Sequence, residues 1–138
     1  MSYGTAGALQ AAIWERLAGD AALSALIGGA VHDALPAGAL PETYVALGPE
    51  EVRDRSDQTH RGAEHDVTLS VVTARAGLGR AKEVAARVSD ALLATPLTLA
   101  RGQVVGLWFL RARARRIDNG AGRRVDLTFR ALVEDTET

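Results

Sequence analysis

The chain has 138 residues, 47% of them hydrophobic and 24% charged, with a formal net charge of −1. That length suits a single domain over residues 1–138, burying roughly two-thirds of its unfolded surface, and the balanced charge excludes a global positive field that would draw it onto DNA or an anionic membrane. The complete lack of cysteine excludes a disulfide framework, a thiolate nucleophile and a cysteine-based zinc site.

The first element is predicted from Ala6 to Ala18, with Thr5 placed to cap it and Leu9, Ile13 and Leu17 forming a buried stripe. Gly19 ends it. Asp20 then caps a short helix from Ala21 to Ile27 that stops at Gly28 and Gly29. After a loop bearing Pro36, Gly38 and Pro41, Thr43 to Leu47 reads as a strand that Gly48 and Pro49 terminate. Glu50 to Arg61 is almost wholly polar and reads as a charged loop outside the core.

From His65 to Thr73, His65, Val67, Leu69, Val71 and Thr73 alternate with Asp66, Thr68 and Ser70, the period-two pattern of a half-buried strand. Gly77 and Gly79 turn the chain into a helix whose buried face is Ala81, Val84, Ala85, Val88, Ala91 and Leu92 and which Pro96 bars from continuing. Two strands remain, Gln103–Asp118 and Arg123–Val133, joined through Asn119-Gly120. A two-residue turn there sets Trp108 opposite Ala131, Leu110 opposite Phe129, Ala112 opposite Leu127 and Ala114 opposite Val125. The expected architecture is α+β: a mainly antiparallel four-stranded sheet with helices packed on one face and a C-terminal β-hairpin.

The residues offer no catalytic constellation. His32, His60 and His65 have no helical metal-ligand spacing between them. His65 reads as a histidine at the core's edge, and Glu64 and Asp66 as a carboxylate pair on the opposite strand face, available in principle for acid and base work but more simply a solvated face. Gly77 and Gly79 lack the third glycine of a dinucleotide fingerprint, and there is no nucleophile elbow and no phosphate-binding loop. No catalytic, cofactor-binding or metal residue is therefore assigned, and no cofactor is expected.

Two features exceed what a lone monomer needs. Alternation places Arg111, Arg113 and Arg115 on one strand face, with Leu107 and Phe109 beside them. The run Val104–Leu110 is apolar on both faces, so Leu107 and Phe109 call for a cover, which a helix of the same chain or a neighbouring protomer could supply, self-association being the preferred reading. That run is also far shorter than the roughly 20 residues of a membrane span. The opening MSYGTAG lacks the pattern of a signal peptide, so no membrane partner is expected.

The stretch EHDVTLSVVTARAGLGRAKEVAARVSDALLATPLTLARGQVVGLWFLRARARRIDNGAGRRVDLTFRAL, together with ALSALIGGAVHDALPAGALPETYVALG before it, resembles the tail-completion, or tail terminator, proteins of long-tailed phages and gene transfer agents. The similarity runs from Leu9 to Leu132 and rests on the order and spacing of elements; it departs from the usual pattern at Leu107-Trp108-Phe109, where a more polar strand is expected. It implies a non-enzymatic virion protein, held in the bacterial cytoplasm until assembly. There it would form a homo-oligomeric ring, commonly a hexamer, on the head-proximal end of the tail tube, end tube polymerisation and join the tail to the neck. The implied partners are further copies of the chain, the tail tube protein and the neck or head-tail connector proteins, with DNA passing non-specifically through the ring. Leu107, Phe109, Arg111, Arg113 and Arg115 are assigned to a subunit or partner interface, the arginine row reading equally as an inter-subunit or DNA-proximal patch and as a solvated face partly neutralised by Asp126. Arg53, Asp54, Arg55 and Asp57 in the charged loop are assigned to an axial contact that orders on docking, or to an element of the lumen. A head-tail adaptor on the portal side is the alternative within assembly proteins, and a small ligand-binding or enzymatic α+β domain, with Glu64 and His65 near its site, is the alternative outside them.

Overall fold

A computed structural model of the chain describes residues 3–34 and 38–136; Pro36 of the predicted loop and the first two residues of the opening segment lie outside them. The elements are α1 (Ala6–Ala18), α2 (Ala21–Ile27), β1 (Val31–His32), β2 (Thr43–Asp54), β3 (Gly62–Thr73), α3 (Leu78–Leu93), β4 (Gln103–Ile117) and β5 (Gly122–Glu134). They form an α+β fold on one five-stranded sheet of order β1-β2-β3-β5-β4.

The helices start and stop where local chemistry directs. Asp20 accepts a hydrogen bond from the Leu23 backbone N–H at 2.9 Å, capping α2. Gly28 ends that helix in the left-handed region, at φ 64°. Thr5 departs from expectation: it makes no side-chain cap on α1, because its hydroxyl turns toward His65 in the interior. Leu9, Ile13 and Leu17 of α1, Leu23 of α2 and the six predicted apolar residues of α3 are buried against Val45, Leu69, Val71, Val125, Leu127 and Phe129 of the sheet. Arg16 fastens α1 to the end of α3 by donating to the carbonyl oxygen of Ala91, which the last turn of the helix leaves unpaired, and to that of Thr95 just beyond it, at 2.9 and 3.0 Å.

The sheet corrects the sequence reading in three places. It has five strands rather than four and is mixed rather than antiparallel, because Val31-His32 pairs parallel to Val45-Ala46. Trp14 holds this short strand in place by donating its indole N–H to the Val31 carbonyl at 3.1 Å. Second, Gly48 and Pro49 do not end β2. Leu47 pairs with Leu69 and Glu50 with Val67, so two residues oppose Thr68 alone in a β-bulge, and the strand runs on to Asp54. The expected loop from Glu50 therefore shrinks to Arg55–Arg61, a hairpin tip.

The third correction concerns β4. From Ile117 back to Arg111 the predicted register holds, with Ala114 opposite Val125 and Ala112 opposite Leu127. A bulge at Leu110 then sets Phe109 opposite Phe129, Trp108 opposite Arg130 and Leu107 opposite Ala131. Trp108 and Leu110 thus lose their expected partners Ala131 and Phe129. Leu107 and Phe109 do not share the face of Arg111, Arg113 and Arg115; they join the helix-covered face, where Phe109 packs edge-on to the fully buried Phe129 at a ring separation of 5.9 Å. An extra residue in a strand exchanges its two faces beyond that point.

Candidate functional site

The sheet face away from the helices carries an ionic network. Glu64 and Asp66 do lie on this common face, and arginines hold both. Arg53 donates to Glu64 at 2.5 Å and to Asp66 at 3.1 Å, Arg55 donates to Glu64 at 3.1 Å, and Arg130 donates twice to Asp66 at 2.8 and 3.0 Å. The Arg53 hydrogen bond holds the Glu64 carboxyl below its ordinary range, and the Arg130 hydrogen bonds do the same for Asp66. Carboxylates so held stay ionised at neutral pH and are poor general acids.

Farther along the same face, burial pushes the Asp126 carboxyl up, but hydrogen bonds from Ser70 at 2.6 Å and Arg124 at 2.8 Å outweigh it and leave the group low. Arg115 lies 3.6 Å from that carboxylate. Arg111, Arg113 and Arg116 stand exposed, with no hydrogen bond or ion pair among the described residues.

On the helix side His65 is fully buried. Its Nδ1 lies 3.6 Å from Glu50 and its Nε2 3.5 Å from the Thr5 hydroxyl, while Tyr3 donates to Glu50 at 2.9 Å. Burial lowers its pKa more than Glu50 raises it, so His65 is neutral. This cluster ties the first residues of the chain to the bulge of β2.

The hairpin tip is already built. Asp57 accepts from the backbone N–H groups of Thr59 and His60 at 2.9 and 2.7 Å, and Asp54 accepts from the Ser56 hydroxyl at 2.7 Å. Arg53 and Asp54 belong to β2, Arg53 facing the ionic network. The four residues assigned to an axial contact thus divide between a strand end and a hydrogen-bonded turn.

Among the described residues, two concave surfaces expose aromatic side chains. One is β4, the outermost strand, with Val105 exposed to 54% and Trp108 and Phe109 each to 44%. The Trp108 ring lies over Gly106. A groove of about 330 Å³ runs between this strand and α3, floored by Ala112, Ala114, Val125 and Leu127. The other is a cleft of about 590 Å³ between α1 and β1, lined by Gln10, Trp14, Glu15, His32 and Asp33 among others. The bulges of β4 and this cleft leave no signal in residue periodicity; only the exposed aromatic residues hinted at the first.

Among the described residues no group of three or more His, Asp or Glu side chains is placed to hold a metal, and no helix is long and apolar enough to cross a membrane. Among curated protein sequences none matches this chain. The family model described as "Tail completion protein gp17" matches residues 11–134. A solved structure titled "Virion of native gene transfer agent (GTA) particle" contains a chain 58% identical to this one, superposing with a TM-score of 0.91 over 96% of this chain and 99% of that one. Matched over nearly all of its fold, the chain belongs to the tail completion protein gp17 family, a structural component of phage-type tails and not an enzyme.

Proposed function

We propose that this protein forms a ring, hexameric in number, that caps the head-proximal end of the tail tube, stops its polymerisation and joins the tail to the neck of a phage or gene transfer agent particle. The observation that carries this reading is β4. An edge strand exposing Val105, Trp108 and Phe109 beside the uncompensated Arg111, Arg113 and Arg116 has more apolar and cationic surface than a monomer's fold uses. Family membership and the likeness to a chain of a gene transfer agent virion support placing that surface in a particle.

In this reading Leu107, Phe109, Arg111, Arg113 and Arg115 meet a neighbouring protomer across both faces of the strand. The tip that follows Arg53 and Asp54, with Arg55 and Asp57, meets the tube or the neck as a preformed hairpin. Such a ring turns over no substrate; its work is to present two axial faces, and DNA passes its lumen without sequence-specific contact. Native mass measurement of the purified protein, alone and with tail tube subunits, tests the reading. A closed oligomer of uniform stoichiometry that blocks tube growth is expected. A protein that stays monomeric in both conditions, or tubes that keep growing in its presence, would overturn it.

A further inference from the structure

Building on the ring reading, we propose that the cleft between α1 and β1 is the receiving surface for the β4 edge of a second copy of this chain. The two surfaces lie at the two opposite ends of the sheet order β1-β2-β3-β5-β4. A contact that joins unlike patches at opposite edges is the kind that propagates by rotation and closes into a ring, whereas a contact of β4 with itself would stop at a dimer.

Charge selects the occupant. The segment Gln103–Glu134 holds seven arginines and three carboxylates, a net of +4, so the remaining residues carry −5 within the whole-chain charge of −1. Several of the fourteen carboxylates on that remainder are already matched: Asp20 by Arg87, Glu42 by Arg75, Glu83 by Arg80, and Glu64 and Asp66 by the network. Glu15 and Asp33, which line the cleft, have no cationic partner among the described residues; Asp33 accepts only from the Gln10 amide, at 2.5 Å. Between them lie the exposed Trp14, fixed in orientation by its bond to Val31, and His32, whose Nε2 is buried with no hydrogen-bond partner among the described residues. An aromatic, acidic cleft is thus offered to an aromatic, cationic strand, and Arg111 and Arg113 would find in Glu15 and Asp33 the counter-charges their own chain does not supply.

The absence of native cysteine makes the test direct. One sample carries Ala11→Cys in the cleft and a second carries Ala112→Cys on β4, both exposed positions that leave the arginines in place; the two are mixed in equal amounts and oxidised. Disulfide-linked heterodimers are expected to exceed either homodimer roughly tenfold, and adding Glu15→Arg to the Ala11→Cys chain is expected to return the mixture to random pairing. Random pairing without that charge reversal, or a dominant Ala112→Cys homodimer, would overturn the assignment. Both substitutions placed in one chain give a separate readout. A ladder of linked oligomers ending at a closed species supports head-to-tail contact and ring together, whereas an unending ladder keeps the contact and removes the ring.

Discussion

Two groups of ionisable residues make this fold sensitive to acid, and they act in different pH ranges. His65 is buried neutral, with a pKa below its ordinary 6.5, so below that value the unfolded chain binds a proton that the folded chain refuses. Stability from this residue is complete above pH 6.5 and falls as pH drops from there to the lowered pKa. Glu64 and Asp66 start lower, from ordinary values of 4.5 and 3.8, and their arginine partners depress both. Their contribution is present above those values and disappears as pH falls through the folded-state pKa. The urea midpoint is therefore expected to decline in two steps, the first setting in as pH falls below about 6.5, the second below about pH 4.5. His65→Asn should weaken the first step and leave the second. A wild-type midpoint that shows no decline below about pH 6.5 ahead of the carboxylate step would show that His65 gains a proton in the folded protein at no cost.

At the scale of elements, the bulge in β4 decides what the strand presents. Leu110 is the extra residue between the pairs Phe109–Phe129 and Arg111–Thr128. Deleting it should leave each of those pairs and both faces intact. Deleting Ala112, two residues away, has a different result: Arg111 moves opposite Leu127 on the helix-covered face, setting a guanidinium against buried apolar residues. The Leu110 deletion is expected to unfold within a few degrees of wild type and the Ala112 deletion well below it, measured by thermal unfolding. Equal losses would mean that the strand's register is not fixed by these pairs. The same bulge marks the limit of what the sequence discloses. The helices were legible almost to the residue, since the stripe Leu9, Ile13, Leu17 and the α3 face follow a helical period, and Asp20, Gly28 and Pro96 act locally. The hairpin was legible near its turn, where Ala112 and Ala114 fall opposite Leu127 and Val125. An inserted residue cannot be seen in a stretch such as Val104–Leu110 that is apolar at nearly every position, because either face then satisfies the core. Gly48-Pro49 misled for the converse reason: both disfavour regular strand, and a bulge accommodates them without ending it. The two-residue β1 has no periodicity to read at all, and the cleft beside it arises only from long-range packing of Trp14.

For the whole molecule, the important asymmetry is between a hairpin of net charge +4 and a remainder of −5. Inside one protomer this separation gains little, because Arg111, Arg113 and Arg116 reach no carboxylate of their own chain among the described residues. Between protomers arranged head to tail, each positive edge meets a negative one, and the energy of assembly acquires a Coulombic part that the energy of folding lacks. Ions screen that part with a length of about 10 Å at 0.1 M salt and about 3 Å at 1 M, whereas the buried core of each protomer is unaffected by screening. Raising sodium chloride from about 0.05 to about 0.5 M is therefore expected to slow ring assembly and shift its equilibrium toward monomer, with little change in the monomer's thermal midpoint. Native mass spectra and unfolding curves recorded over the same salt series separate the two effects. Assembly that is indifferent to salt, or strengthened by it, would assign the contact to Trp108, Phe109 and their apolar neighbours alone and leave the arginine row to the lumen or the solvent.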